Sequence, residues 1–326
     1  VNRVLDLISA ICRRSAYLSL LVQNPGASER MLELFAVSKR VADAVTRHPA
    51  LLDELIDPSL GAYPPTARDI QANVQRILSA NSDTETALQE LNYLKLVISL
   101  RIAVAVLKST MTVFETRIAL SQLAQSLVQA CLDLSLLEME TRHGRLPGPE
   151  LAVIGYGSLG ACALGFDSDL DLIFLYQPVT SLSDGKRSIP AERYHTGVAR
   201  RMLSLLSATT PSGRLYSIDA RLRPNGRAGL LVSSIDAFRR YQSEEAWVWE
   251  LQALTRARPI AGNTETGDSF NATRKRVLTM PRDPEQIGAE ISSMRERIRS
   301  ERKDANPLKH GPVSYTHLTL PTTIGW

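Results

Sequence analysis

Two apolar runs, LAVIG (151–155) and LDLIFLY (170–176), are separated by a glycine-bearing connection too short to hold a helical crossover. This constrains the fold more than any other stretch. The first run ends in glycines and reads as a buried strand entering a tight turn, Gly155-Tyr156-Gly157-Ser158-Leu159-Gly160. The second opens with Asp169 and Asp171, two apart. Strand side chains alternate with period two, so both carboxylates are expected on one face. Neighbouring acids repel unless a cation sits between them, and hard divalent ions such as Mg²⁺ are held this way together with substrate phosphates. The first reading is a metal–nucleotide site; the plain alternative is a solvated loop end, since Asp-x-Asp is a common sequence.

Two other nucleotide-binding patterns fail. Gly155-x-Gly157-x-x-Gly160 matches a dinucleotide-binding fingerprint. That fingerprint requires a crossover of roughly a dozen residues or more before the next parallel strand, and Gly160 to Asp169 leaves no room for one. No GxxxxGK[ST] occurs.

Length allows two or three domains with ample core, 326 residues in all. The net charge of only +4 permits an anionic ligand and does not call for nucleic acid or a membrane surface. Cys12, Cys131 and Cys162 have no metal-ligand spacing and suit a reducing cytoplasm, which makes the Asn271-Ala272-Thr273 sequon incidental. The most apolar helical run, Leu94 to Leu107, is interrupted by Arg101, so no membrane span is expected. The chain starts at Val1, inside a helical pattern, and reads as a fragment.

Residues 1–146 are expected to form a helical domain. Leu5, Ile8 and Cys12, then Leu18, Leu21 and Val22, recur at helical spacing. Helices are predicted at about 67–80, 83–107 and 114–143, the last with Leu120, Leu123, Leu127, Cys131, Leu134 and Leu137 on one stripe. Pro147-Gly148-Pro149 is the clearest linker. Residues 147–262 are expected to be the catalytic unit, with a polar loop at 177–190, a helix at about 192–208, and a strand over Arg214 to Leu222. On that strand Asp219 would be a third acid, with Arg221 on its face and Arg223 two further on. Three such acids would bind two metal ions and serve an in-line phosphoryl transfer, provided the strands near 170 and 218 are neighbours. Without metal, at least one acid should titrate high. Gly157-Ser158 offers bare amides and a hydroxyl to phosphates; Arg221 and Arg223 would either neutralise a triphosphate or pair with the acids.

GYGSLG, DSDLDLIFLY, LYSIDARLRPNGRAGLLVSS and AFRRYQSEEAWVWELQALTRARPIAG together resemble the glutamine synthetase adenylyltransferase/adenylyl-removing family, within the polymerase-β-like nucleotidyltransferase superfamily. The likeness runs from Val1 to about Gly311 and includes HPALLDELIDP. It implies an α+β fold: a nucleotidyltransferase core with a mixed sheet, preceded and followed by helical-bundle segments. It also implies Asp169, Asp171 and Asp219 as catalytic metal ligands for Mg²⁺, in two ions, and Gly157, Ser158, Arg221 and Arg223 at the nucleotide, ATP. The implied reaction is AMP transfer to a tyrosine of glutamine synthetase, in the cytoplasm, with the PII signal protein and glutamine as effectors. The family has two nucleotidyltransferase halves, and the wording here resembles the C-terminal, AMP-attaching one. Alternatives are the reverse, phosphorolytic activity and a non-catalytic docking fragment. Glu250, Arg256 and Arg258 fall in a family-typical segment, as phosphate contacts or a buried ion pair, and Trp247 and Trp249 are expected in the core. Residues 263–312 would begin a truncated C-terminal helical domain. From Val313 to Trp326 the sequence departs from the family, resembles translated sequencing adapter, and offers no consistent apolar face.

Overall fold

A computed structural model describes residues 2–81, 83–148 and 151–301, without the side chains of Arg227, Gln286, Arg295 and 297–301. The expected tail at 313–326 lies outside these residues. Four short helices come first: α1 (Asn2–Ile11), α2 (Ser15–Gln23), α3 (Pro25–Val37) and α4 (Lys39–Arg47), followed by a 3₁₀ segment at Pro49–Leu55. Three longer ones follow, α5 (Ala67–Ala80), α6 (Thr84–Leu107) and α7 (Val113–His143). Their starts are written locally. Thr66 with Asp69, and Thr112 with Glu115, form reciprocal capping boxes, and the Asp83 side chain accepts from Thr86 N at 2.8 Å.

Two stripes differ from expectation. In α1 the buried residues are Leu7 and Ile11, while Leu5 and Ile8 are exposed, as are Cys12 and Val22 beyond it. Val4, Leu7 and Ile11 form a competing stripe at helical spacing, and packing on α3 and α4 selects it. In α7 the predicted stripe is buried up to Leu134, but Leu137 is exposed. That helix packs on α5, α6, the later helix Ala191–Ser207 and the strand Arg258–Gly262, so Ser135 and Met139 continue its buried surface instead.

The sheet is mixed. β1 (Ala152–Gly155) is antiparallel to β2 (Leu170–Tyr176) and to β5 (Arg258–Gly262). On its other edge β2 pairs in parallel with β3 (Ile218–Asp219) and, further along, with β4 (Val232–Ser234). Antiparallel β1 and β2 joined through a single helical turn, α8 (Gly157–Gly160), exclude a dinucleotide-binding crossover unit, as the spacing required. The remaining helices are α9 (Ala191–Ser207), α10 (Ile235–Glu244), α11 (Val248–Leu254), α12 (Thr264–Leu278) and α13 (Pro284–Glu301).

Strand alternation sorts the core into two layers. Val153, Leu170, Leu172 and Phe174 face α7 and α9, in one cluster of buried side chains that continues into α5 and α6. Ala152, Ile154, Ile173 and Leu175 face Ile235 and Phe238 of α10 and Phe270 and Val277 of α12. The buried cluster therefore crosses the 147–149 linker without a break. Among the described residues no helix is long and apolar enough to cross a membrane.

The strand predicted over 214–222 is only two residues long. Upstream, its backbone is claimed by other partners: Tyr216 N donates to Leu206 O at 2.9 Å, and Lys95 Nζ donates to the carbonyls of Arg214, at 3.3 Å, and Leu215. Downstream, Arg221 N donates to the Asp219 side chain at 2.9 Å and Asn225 takes a left-handed conformation, φ 60°. Both turn the chain out of the sheet.

Candidate active site

Asp171 and Asp219 are register partners in the parallel β2–β3 pair, so their side chains leave the same face of the sheet. Asp169 lies just before β2, two residues from Asp171. The structure thus brings the two sequence-distant acids side by side. The Asp171 carboxyl is held above its ordinary pKa by burial, then by the charges of Asp219 and Asp169, with Arg221 and Arg256 opposing. Excess negative charge at a half-buried position is a donor set that suits a divalent cation.

Gly157 explains the turn above these acids. It has φ +55°, and a Cβ there would stand 2.3 Å from Asp171 Oδ2. Only glycine lets the carboxylate lie against the backbone. Gly160 is equally confined: its Cβ would fall 2.0 Å from Arg256 O. A backbone hydrogen bond from Tyr156 N to Asp171 O, 2.9 Å, fixes the turn over β2. The first amides of a helical turn have no partner within that turn, which leaves those following Tyr156, beside Ser158, to be satisfied from outside it.

The arginines divide. Arg221 Nε donates to Asp219 Oδ1 and Oδ2 at 2.9 and 2.8 Å, and Nη2 also reaches Oδ2. In this arrangement Arg221 is the salt-bridge partner of the acid. Among the described residues no three His, Cys, Asp or Glu side chains, Asp169, Asp171 and Asp219 included, are gathered so that they could hold a metal ion. Arg223 braces its own loop, donating to Ala220 O at 2.7 Å and Gly229 O at 3.2 Å. Arg256 is exposed, and its charge acts on Asp171. Arg258 ties the turn to α7, through Gln125 Oε1 at 3.2 Å and Leu159 O at 3.4 Å.

Two expectations are corrected. Glu250 is buried but forms no ion pair with Arg256 or Arg258; its carboxylate accepts from Tyr241 Oη at 3.0 Å on each oxygen and from Trp247 N at 2.9 Å. It is a helix cap closed by a tyrosine. Trp247 is 68% exposed, because the cap places it ahead of α11 rather than on the helix face that packs inward. Glu250→Ala is expected to cost about 2–4 kcal/mol in urea unfolding, the sum of a lost cap and an unsatisfied buried hydroxyl.

Sequence reading missed the contacts that hold the acid-bearing segments from outside. Arg40 of α4 forms a two-pronged pair with Asp167, Nη1 to Oδ1 at 2.9 Å, and its guanidinium lies 5.1 Å from the Phe166 ring centre. Lys95 of α6 reaches the backbone ahead of Asp219, with its Nζ 4.4 Å from the Tyr216 ring centre. No local pattern announces a pair separated by over a hundred positions; only the run of acids in DSDLD pointed towards Asp167.

A mixed sheet flanked by helices defines an α+β protein, and the family it matches has a nucleotidyltransferase core. The family profile for glutamate-ammonia ligase adenylyltransferase matches residues 28–273, and the chain belongs to that family. It is 42% identical over 312 residues to the bifunctional glutamine synthetase adenylyltransferase/adenylyl-removing enzyme of Xanthomonas axonopodis pv. citri (strain 306), covering 94% of this chain and 33% of that protein. The identically named proteins of Pseudomonas aeruginosa and Stenotrophomonas maltophilia (strain R551-3) are 41% and 40% identical, over 92% and 94% of this chain and 32% and 33% of theirs. The chain spans about a third of the length of these relatives.

Proposed function

We propose that this chain carries the AMP-attaching chemistry: transfer of AMP from ATP to a tyrosine hydroxyl of glutamine synthetase, dependent on Mg²⁺ and taking place in the cytoplasm. The observation that carries this reading is the register pairing of Asp171 with Asp219 beneath Gly157. In the reaction the phenolic oxygen bonds to the α-phosphorus, the α–β bridging bond breaks, pyrophosphate leaves and the phenol gives up its proton. Asp169, Asp171 and Asp219 are the residues that would hold the metal, in two ions. Bound cations supply charge neutralisation at the attacking and leaving oxygens. Gly157 keeps the backbone bare so that a triphosphate approaches the amides of the turn, and Ser158 adds a hydroxyl. Arg221 and Arg223 stand on the same loop with charge for the phosphates, Arg221 once it leaves Asp219. Regulation through PII and glutamine belongs to this reading as what the resemblance seen in the sequence implies.

Direction is the part most open to reversal, since the relatives' name covers both attachment and removal. With ATP, Mg²⁺ and unmodified glutamine synthetase, pyrophosphate release is expected. Phosphate-dependent ADP formation from AMP-modified synthetase would assign the opposite direction. Binding of synthetase with no Mg²⁺-dependent ATP affinity would make the chain a docking segment instead.

A further inference from the structure

We propose that Lys95 and Arg40 are positioning residues through which the N-terminal helices set the spacing between the two acid-bearing segments; the proposal rests on the metal-binding reading of Asp169, Asp171 and Asp219. β3 has only two residues, and a pair that short does not fix its own register against β2. Besides its short pairing with β2, which includes the Leu170 N to Ser217 O bond of 2.9 Å, the segment entering Asp219 is held by α9, through Tyr216 N to Leu206 O, and by α6. The α6 contact is a single ammonium bridging two successive carbonyls, Arg214 O and Leu215 O, over the Tyr216 ring. A charged donor to two carbonyls beside an aromatic face defines where the chain stands, four residues before Asp219.

The opposing segment is tied in the same sense. Asp167 precedes Asp169 by two residues, and Arg40 holds its carboxylate through both prongs of the guanidinium. Phe166, under that guanidinium, packs against both the α5–α7 cluster and the α1–α4 cluster. One helical body therefore grips both sides of the carboxylate pair, and the gap between Asp171 and Asp219 follows the helices. Burial lowers the Lys95 ammonium to about 8, with Asp167 raising it and Arg214 lowering it further. A cation kept at such a place in spite of its desolvation is consistent with a positional duty.

The test uses the 326-residue chain and its Lys95→Met, Lys95→Arg, Arg40→Met and Asp171→Asn variants. Amide exchange over 161–171 and 214–220 reads the segments without metal, and Mn²⁺ titration followed by electron paramagnetic resonance reads the acids. Lys95→Met is expected to speed exchange of the Leu170 amide about tenfold and to weaken Mn²⁺ binding by about the same factor, the scale of one charged hydrogen bond. Lys95→Arg should recover most of both. Arg40→Met, at an exposed pair that leaves the core intact, should speed exchange over 161–169 and weaken Mn²⁺ binding. Unchanged exchange and unchanged Mn²⁺ affinity in Lys95→Met and Arg40→Met would overturn the proposal. Equal Mn²⁺ affinity in the unmodified chain and Asp171→Asn would instead overturn the metal reading, with the exchange rates still deciding the positioning role.

Discussion

Replacing Asp171 with asparagine is expected to abolish AMP transfer, by about 10²–10³-fold or more, while raising the stability of the metal-free protein. The first effect follows if, as proposed, Asp171 is among the groups that would hold charge-stabilising cations against the reacting phosphate. The second follows from the direction of its pKa. The folded-state value lies above the ordinary 3.8, so the fold retains a proton that the unfolded chain has released. The carboxyl's contribution to stability is therefore full below that ordinary value and is lost as pH rises through the raised one. Asparagine carries no such penalty at any pH. Thermal melts without metal should show Asp171→Asn above the unmodified chain at pH 7, with the gap closing towards pH 4. Added Mg²⁺ should raise the melting point of the unmodified chain and leave that of the variant in place. A variant that melts lower at pH 7 would mean that Asp171 is held by partners that satisfy it as an anion.

Gly157→Ala is expected to damage both the fold and the chemistry, for separable reasons. An alanine at φ +55° carries about 1–2 kcal/mol of backbone strain. Its Cβ would also need the space of Asp171 Oδ2, only 2.3 Å away, so the carboxylate has to move. Gly213 supplies the control: it too has positive φ, +93°, but nothing stands within 4 Å of its Cβ position. Gly213→Ala should therefore cost stability alone in urea unfolding. Gly157→Ala should match or exceed that cost and lose AMP transfer about tenfold or more, as the displaced acid loses its geometry. Equal activity in the two variants would remove Gly157 from the site.

The parts of the fold that could be read from the sequence were those specified by neighbours in the chain. α5 begins and ends where the Thr66 cap and the apolar spacing put it, and β1 and β2 follow from short apolar runs around glycines. Period two put Asp169 with Asp171, and Asp219 with Arg221, on one face of each strand; that the strands near 170 and 218 are neighbours was the open condition, and the β2–β3 register, with Asp171 opposite Asp219, meets it. What failed to show was decided at long range. The alternation of 214–222 is that of a strand, yet Lys95 and Leu206 take its hydrogen bonds. The α1 helix has two usable apolar stripes, and only its partners choose between them. Trp247 reads as core by size, and the cap at Glu250 leaves it in water.

The buried cluster that passes from α5–α7 into the sheet has a thermodynamic consequence. Where two segments share one core their unfolding is expected to be coupled, and the cluster runs across the sequence boundary at 147. Ligation at the acids then stabilises helices that never touch the ligand. By reciprocity, a partner gripping those helices changes affinity at the acids by the same free energy. A ligand held at the acids would then be sensed at the helical end by a molecule with no access to the acids themselves.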